Sequence, residues 1–245
     1  MKLKSIINNW IGSSKPALNS IDPFLVQKSL FANEKNLIIF DVGACVGDIT
    51  AIYRKKFPSA KVYCFEPFPD SFKELCCQSD RESTRAHQIA FSDRNGKATF
   101  QVNTDQTCNS MFSRPSVGAK YYSSSSQNIG QIEVETQKLD SFCESENIDD
   151  IDILKLDVEG SELKVLSGAA EKLKEKRIKL IYAEVMFVPH YEGGCLFPEI
   201  SEFLSDYGYS LFNLYSLKRA RNGQLRWGNA IFLSPEIKAQ VESAY

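Results

Sequence analysis

From Leu37 onward, short apolar runs alternate with stretches whose apolar residues recur three and four positions apart. That is the pattern of βαβ units built onto a parallel sheet. Leu37 to Phe40 predicts a first strand, and Ile49, Ile52, Tyr53 and Phe57 share the face of a helix that Pro58 stops. A second strand, Lys61 to Phe65, ends in Glu66-Pro67, and Pro69 suits the first turn of a helix through Phe72, Leu75 and Cys76. Further strands are expected at Arg85 to Ile89, Lys97 to Val102, Ile132 to Thr136, Ile151 to Leu156 and Lys179 to Val185. One helix is expected through Leu163, Leu166, Ala170 and Leu173, and another opens at Pro198 with Gly208 just past its end. Strands near Tyr209 to Tyr215 and Asn229 to Leu233 flank the turn signal Asn222-Gly223 and read as an antiparallel pair at the sheet edge.

The pattern divides the chain in three. Residues 1–35 read as a helical extension, with Ile6, Ile7, Trp10 and Ile11 on one face, and residues 36–245 as a single domain. Within it the polar stretch 103–131, containing Ser123 to Ser126, reads as a flexible lid loop. With 245 residues, 43% of them hydrophobic, one sizeable α/β domain is the better fit than two.

Charge narrows the partners. Lys and Arg total 29 against 31 for Asp and Glu, so nothing global favours a nucleic acid or an anionic membrane. The seven cysteines are an odd number without Cys-x-x-Cys or zinc spacing, which fits reduced thiols and a cytoplasmic location. The apolar run near the N-terminus is too short for a span, so no membrane insertion is expected. The edge hairpin and the N-terminal helix are the two candidate contacts of a homodimer.

The chemistry gathers at strand ends. An open parallel sheet places its ligand at the carboxyl end of its first strands, here the turn Asp41-Val42-Gly43-Ala44-Cys45-Val46-Gly47. Gly-x-x-x-Gly behind an acid departs from the Gly-x-Gly-x-x-Gly that seats a pyrophosphate. Asp41 would repel a diphosphate and attract an ammonium group. Glu66, at the end of the next strand, is placed to accept hydrogen bonds from both hydroxyls of a ribose.

These segments, with Phe65-Glu66-Pro67, Ala90-Phe91-Ser92-Asp93 and above all the block Leu154 to Glu162, resemble the FkbM family of methyltransferases over about residues 37–186. The resemblance implies a Rossmann-like class I methyltransferase fold: an α/β architecture with a mostly parallel seven-stranded sheet, helices on both faces and an antiparallel C-terminal edge. It implies S-adenosylmethionine as donor and a hydroxyl of a sugar, glycan or secondary metabolite as acceptor. By it, Asp41, Gly43 and Gly47 hold the methionine side, Glu66 the ribose, Ser92 with Asp93 lies near the adenine, Cys45 and Pro67 also contact the cofactor, and Asp157 faces the reaction centre. Family members usually carry Asn where this chain has Cys45, and often a Ser-Ser-Leu-like segment at Asn109 to Phe112. A nicotinamide-dependent oxidoreductase and a non-catalytic module of the same fold are the alternatives.

The candidates for the acceptor's proton are Asp157, Glu159 and His190, with Glu159 equally readable as a carboxylate at a helix start and His190 as a loop histidine. Lys155 reads as a polar position on the sheet. Asp157, Glu159 and Glu184 together offer an oxygen-rich alternative for Mg²⁺, but hydrogen bonding to backbone or acceptor hydroxyls is the preferred reading, with no metal. Tyr121, Tyr122, Tyr191 and Phe197 are candidate walls for a sugar ring.

Overall fold

The computed structural model describes residues 22–78, 83–114 and 127–243. Ten strands and eight α-helices lie within them. The strands are β1 Ile38–Val42, β2 Lys61–Phe65, β3 Thr84–His87, β4 Ala90–Phe91, β5 Gly96–Asn103, β6 Asn128–Gln137, β7 Ile151–Leu156, β8 Ile178–Met186, β9 Ser210–Arg219 and β10 Leu225–Leu233. The helices are α1 Pro23–Leu30, α2 Asp48–Lys56, α3 Pro69–Gln78, α4 Leu139–Glu146, α5 Glu162–Ser167, α6 Ala170–Lys174, α7 Phe197–Asp206 and α8 Pro235–Glu242.

Seven strands form the main sheet in the order β3-β2-β1-β7-β8-β10-β9. All neighbours are parallel up to β8, and β10 runs antiparallel to both β8 and β9. This is the expected class I methyltransferase sheet, with its reversal of strand order between β1 and β7. A crevice opens there, at the strands' carboxyl ends.

Successive side chains of a strand face opposite sides, and two cores result. Phe40, Phe65, Leu154 and Phe232 pack on one face with Phe142, Leu166 and Leu204 from α4, α5 and α7. Ile39, Val62, Ile153 and Leu180 pack on the other with Tyr53, Leu75 and Ile237 from α2, α3 and α8. β7 is buried at every residue, its two charged side chains Asp152 and Lys155 included.

Three expectations change. Helix α1 puts Val26 in the second core, and Tyr53 donates to Gln27 at 3.1 Å, so the chain is packed into the domain from Pro23 on. Ile6, Ile7, Trp10 and Ile11 lie outside the described residues. The lid stretch 103–131 is narrower than read: β5 reaches Asn103 and β6 starts at Asn128. These strands, with β4, form a separate three-stranded sheet; the expected strand Ile132 to Thr136 lies within β6, whose exposed first residues Asn128 to Gln131 hid its start from an apolar pattern. Ser123 to Ser126, Tyr121 and Tyr122 lie outside the described residues. The helix through Leu163 and Leu173 is two helices, because Gly168 lies against the Ser92 carbonyl, where a Cβ would approach to 2.1 Å. Among the described residues no helix is long and apolar enough to cross a membrane, and all seven cysteines are free thiols.

Candidate active site

A cavity of about 740 Å³ opens over the carboxyl ends of β1, β2, β7 and β8. Of the residues singled out from sequence, Gly43, Cys45, Glu66, Pro67, Asp157, Glu159, Glu184, His190 and Tyr191 line it. Asp41, Gly47, Ser92 and Asp93 are not among its walls.

Asp41 has a structural task. It stands opposite Lys155 in the β1–β7 register, with 3.0 Å between its Oδ1 and the Lys155 Nζ, while Thr50 donates to its Oδ2 at 2.6 Å. Burial works against the Lys155 charge, but Asp41 and Asp157 outweigh it and raise the pKa. Asp41 is therefore neutralised internally. Lys155 also donates to the Gly43 carbonyl at 2.9 Å and lies 3.7 Å from Asp157. One buried cation thus ties the first turn to the end of β7, a role the alternating pattern around it did not reveal.

The turn is held from its other side by Glu66. Its two oxygens accept from the Cys45 and Phe68 backbone N–H groups, both at 2.9 Å. Each oxygen keeps a further lone pair, and burial pushes the Glu66 pKa up. Gly43 is required because a Cβ there would lie 1.9 Å from the Asp157 carbonyl oxygen. Cys45 sits in left-handed backbone at φ 48°, the conformation that Asn tolerates best among non-glycine residues. Gly47 caps α2.

Ser92 and Asp93, expected beside the adenine, do not line the cavity. The Ser92 hydroxyl donates to Asp93 at 2.9 Å and its carbonyl is covered by Gly168. The cavity is walled instead by Phe68, Ile89 and Phe91, flat or apolar surfaces suited to a purine. The turn, Glu66 with spare lone pairs and these walls together fit S-adenosylmethionine.

At the end of β7, Asp157, Glu159 and Glu184 each bring a carboxylate oxygen within 4.8 Å of the others. Glu159 adopts φ 53° and is clamped by Ser110, whose hydroxyl donates to its carbonyl at 2.7 Å. Tyr191 donates to Glu159 Oε2 at 2.5 Å. Burial and the Asp157 charge push the Glu159 pKa up to about 8, and the same two causes raise that of Glu184. Glu162 accepts from the Val158 N–H at 3.0 Å and holds the loop's far end. The Asp157 side chain is 39% exposed.

His190 does not stand free as a base. Its Nδ1 lies 3.0 Å from the Val188 carbonyl and its Nε2 3.0 Å from an Arg226 guanidinium nitrogen. Donation to Val188 leaves Nε2 as an acceptor already engaged by Arg226. Burial and the Arg226 charge lower its pKa to about 4. Phe197 packs between Phe187 and Phe232, outside the cavity. Sequence reading missed Thr50, Arg114, Lys218, Arg226 and Trp227; the last four line the cavity from distant parts of the chain.

A family model described as Methyltransferase FkbM domain matches residues 41–211. The 2-O-methyltransferase NoeI of Sinorhizobium fredii is 31% identical over 164 residues, 64% of this chain and 66% of that protein. The 31-O-demethyl-FK506 methyltransferase FkbM of Streptomyces tacrolimicus is 28% identical over 195 residues, covering 71% and 73%. The hexuronic acid methyltransferase AglP of Haloferax volcanii is 27% identical over 150 residues, covering 60% and 56%. The match therefore spans just under two thirds of NoeI and little more than half of AglP.

Proposed function

The chain belongs to the FkbM family of methyltransferases, and from that premise we propose that it transfers the methyl group of S-adenosylmethionine to a hydroxyl of a sugar, glycan or secondary metabolite. The observation that carries this reading is the convergence of Asp157, Glu159 and Glu184 in the cavity that also holds the Gly43 turn and Glu66. S-adenosylmethionine supplies a methyl group already activated by its sulfonium leaving group. The chain's own work is to bind the donor, align the acceptor oxygen and remove its proton.

In this reading the Gly43 to Cys45 turn holds the methionine part, Glu66 the ribose hydroxyls, and Phe68, Ile89 and Phe91 the adenine. Asp157 takes the proton of the acceptor hydroxyl. Its rivals are engaged: Glu159 by Tyr191 and His190 by Arg226. Lys155, 3.7 Å away, keeps positive charge beside the Asp157 carboxylate. The reaction needs no metal in this scheme, so a strong chelator should leave turnover unchanged.

The test supplies the purified chain with methyl-labelled S-adenosylmethionine and a panel of glycosides, with calorimetry against S-adenosylhomocysteine and NAD(H). We expect S-adenosylhomocysteine to bind, the label to appear in a new O-methyl group of the acceptor, and Asp157→Asn to lower turnover about 100-fold or more while the product still binds. Binding of NAD(H) alone, or full turnover by Asp157→Asn, would overturn it.

A further inference from the structure

The cavity is electrically two-sided. The strand ends contribute Glu66, Asp157, Glu159 and Glu184, whereas the β9–β10 hairpin and the segment after β5 contribute Lys218, Arg219, Arg226 and Arg114. The donor's sulfonium and ammonium charges match the acidic end. The donor's one carboxylate balances only part of the basic wall, so the remaining cations face the acceptor.

That wall is built by an irregularity. Leu225 pairs with Arg219 and Trp227 with Lys218, so β10 carries one extra residue, Arg226, between them. In a regular strand Arg226 and Trp227 would point to opposite faces. The bulge lets both line the cavity.

Arg226 is also oriented. Its guanidinium meets His190 at 3.0 Å, and His190, itself 5% exposed, is fixed by the Val188 carbonyl. Arg114 approaches from the other side: its guanidinium lies 5.6 Å from the Tyr191 ring centre, and its charge together with that of Arg226 helps hold His190 neutral. The Lys218 ammonium lies 5.8 Å from the Trp227 ring centre. Two guanidiniums from distant parts of the chain thus line one cavity, Arg226 against His190 and Arg114 against Tyr191, with the Trp227 indole in the same lining.

We infer that this wall binds an oxyanion carried by the acceptor, a carboxylate or a phosphate on the sugar, with Arg226 and Arg114 as its principal ligands and Trp227 against the ring. A guanidinium fork matches such groups with two parallel N–H···O bonds, and an indole face suits the apolar side of a pyranose. The inference rests on the methyltransferase reading and narrows its acceptor class.

Calorimetry on the full chain loaded with S-adenosylhomocysteine tests it with three probes: p-nitrophenyl β-D-glucuronide, p-nitrophenyl β-D-glucoside 6-phosphate and the neutral p-nitrophenyl β-D-glucoside. At least one charged probe should bind tenfold or more tightly than the neutral one, and Arg226→Gln should weaken it at least tenfold. Preference for the glucuronide assigns a carboxylate, preference for the phosphate a phosphoryl group. Arg114→Gln, a change at the other principal ligand, should weaken the same probe at least tenfold and decides the matter if Arg226→Gln fails to fold. A neutral probe that binds as well as both charged ones, no measurable binding of either charged probe, or charged binding that both variants leave intact would overturn the inference. Failure of S-adenosylhomocysteine to bind would instead sink the methyltransferase reading itself.

Discussion

Asp41 and Lys155 meet at 3.0 Å across the β1–β7 register, with side-chain exposures of 0% and 4%. Removing one partner of such a pair strands a charge in the sheet. Lys155→Met should destabilise the fold by about 3–5 kcal/mol, a drop in Tm of roughly 6–20 °C for a chain of this size. Adding Asp41→Asn should restore part of the loss, since the two changes are coupled. Thermal melts of the two single variants and the double variant measure this; simple additivity would show that the pair is not the cause.

Gly43 is the point where the cofactor turn touches the end of β7. A methyl group there would sit 1.9 Å from the Asp157 carbonyl oxygen, at a backbone φ of 73°. Gly43→Ala should therefore cost more than about 3 kcal/mol, from clash and left-handed strain together, and S-adenosylhomocysteine affinity should fall with it. A variant that melts and binds like the parent would mean the turn yields easily.

Buried carboxylates give the protein a pH signature. Glu159 has a folded pKa near 8 and Glu162 near 7, both above their ordinary 4.5. Between the unfolded and folded values the native state holds more protons than the unfolded chain, so stability falls as pH rises through that window. His190 acts oppositely: lowered from 6.5 to about 4, it adds stability as pH rises between those values. The two trends offset below pH 6.5, leaving the carboxylates alone above it. Tm of the unliganded protein should decline from pH 6.5 to 8, and Glu159→Gln should flatten the slope. A rising or flat parent profile over that range would contradict the assignment.

Much of this arrangement was legible because of where the apolar residues lie. Strands β2 and β7 were bounded to the residue, since a mostly apolar stretch in each ends at an acidic strand end, Glu66 after β2 and Asp157 after β7. Strand β6 was not, because its exposed residues spell a polar loop. Asp41 and Glu66 flank a turn that does border the cavity, yet their directions were decided by partners elsewhere. The Asp41 carboxylate turns inward to Lys155, 114 residues away in sequence, and Glu66 turns back to two N–H groups of the loops it joins. Arg226 was invisible for a further reason. An unremarkable charge on the strand next to the sheet edge comes to line the cavity only through a bulge, which no periodicity announces.

Cys45 is where this chain departs from the residue usual in its family, and the backbone explains what the departure costs. At φ 48° the Cys45 side chain sits in the left-handed region, where Asn is favoured because its short polar side chain bonds locally. The Cys45 N–H, and not its thiol, carries the structural contact by donating to Glu66 at 2.9 Å. Burial, aided by the Glu66 charge, raises the thiol pKa and keeps it protonated at neutral pH. Cys45→Asn should therefore relieve strain without disturbing the N–H to Glu66, raising stability by up to about 1 kcal/mol. Product affinity should be equal or higher, because a polar side chain is added beside the methionine end of the cavity. Thermal melting and calorimetry with S-adenosylhomocysteine check both halves. A variant that melts lower would mean the thiol packs better than an amide can, and one that melts higher but loses the product would make Cys45 a determinant of what the cavity holds.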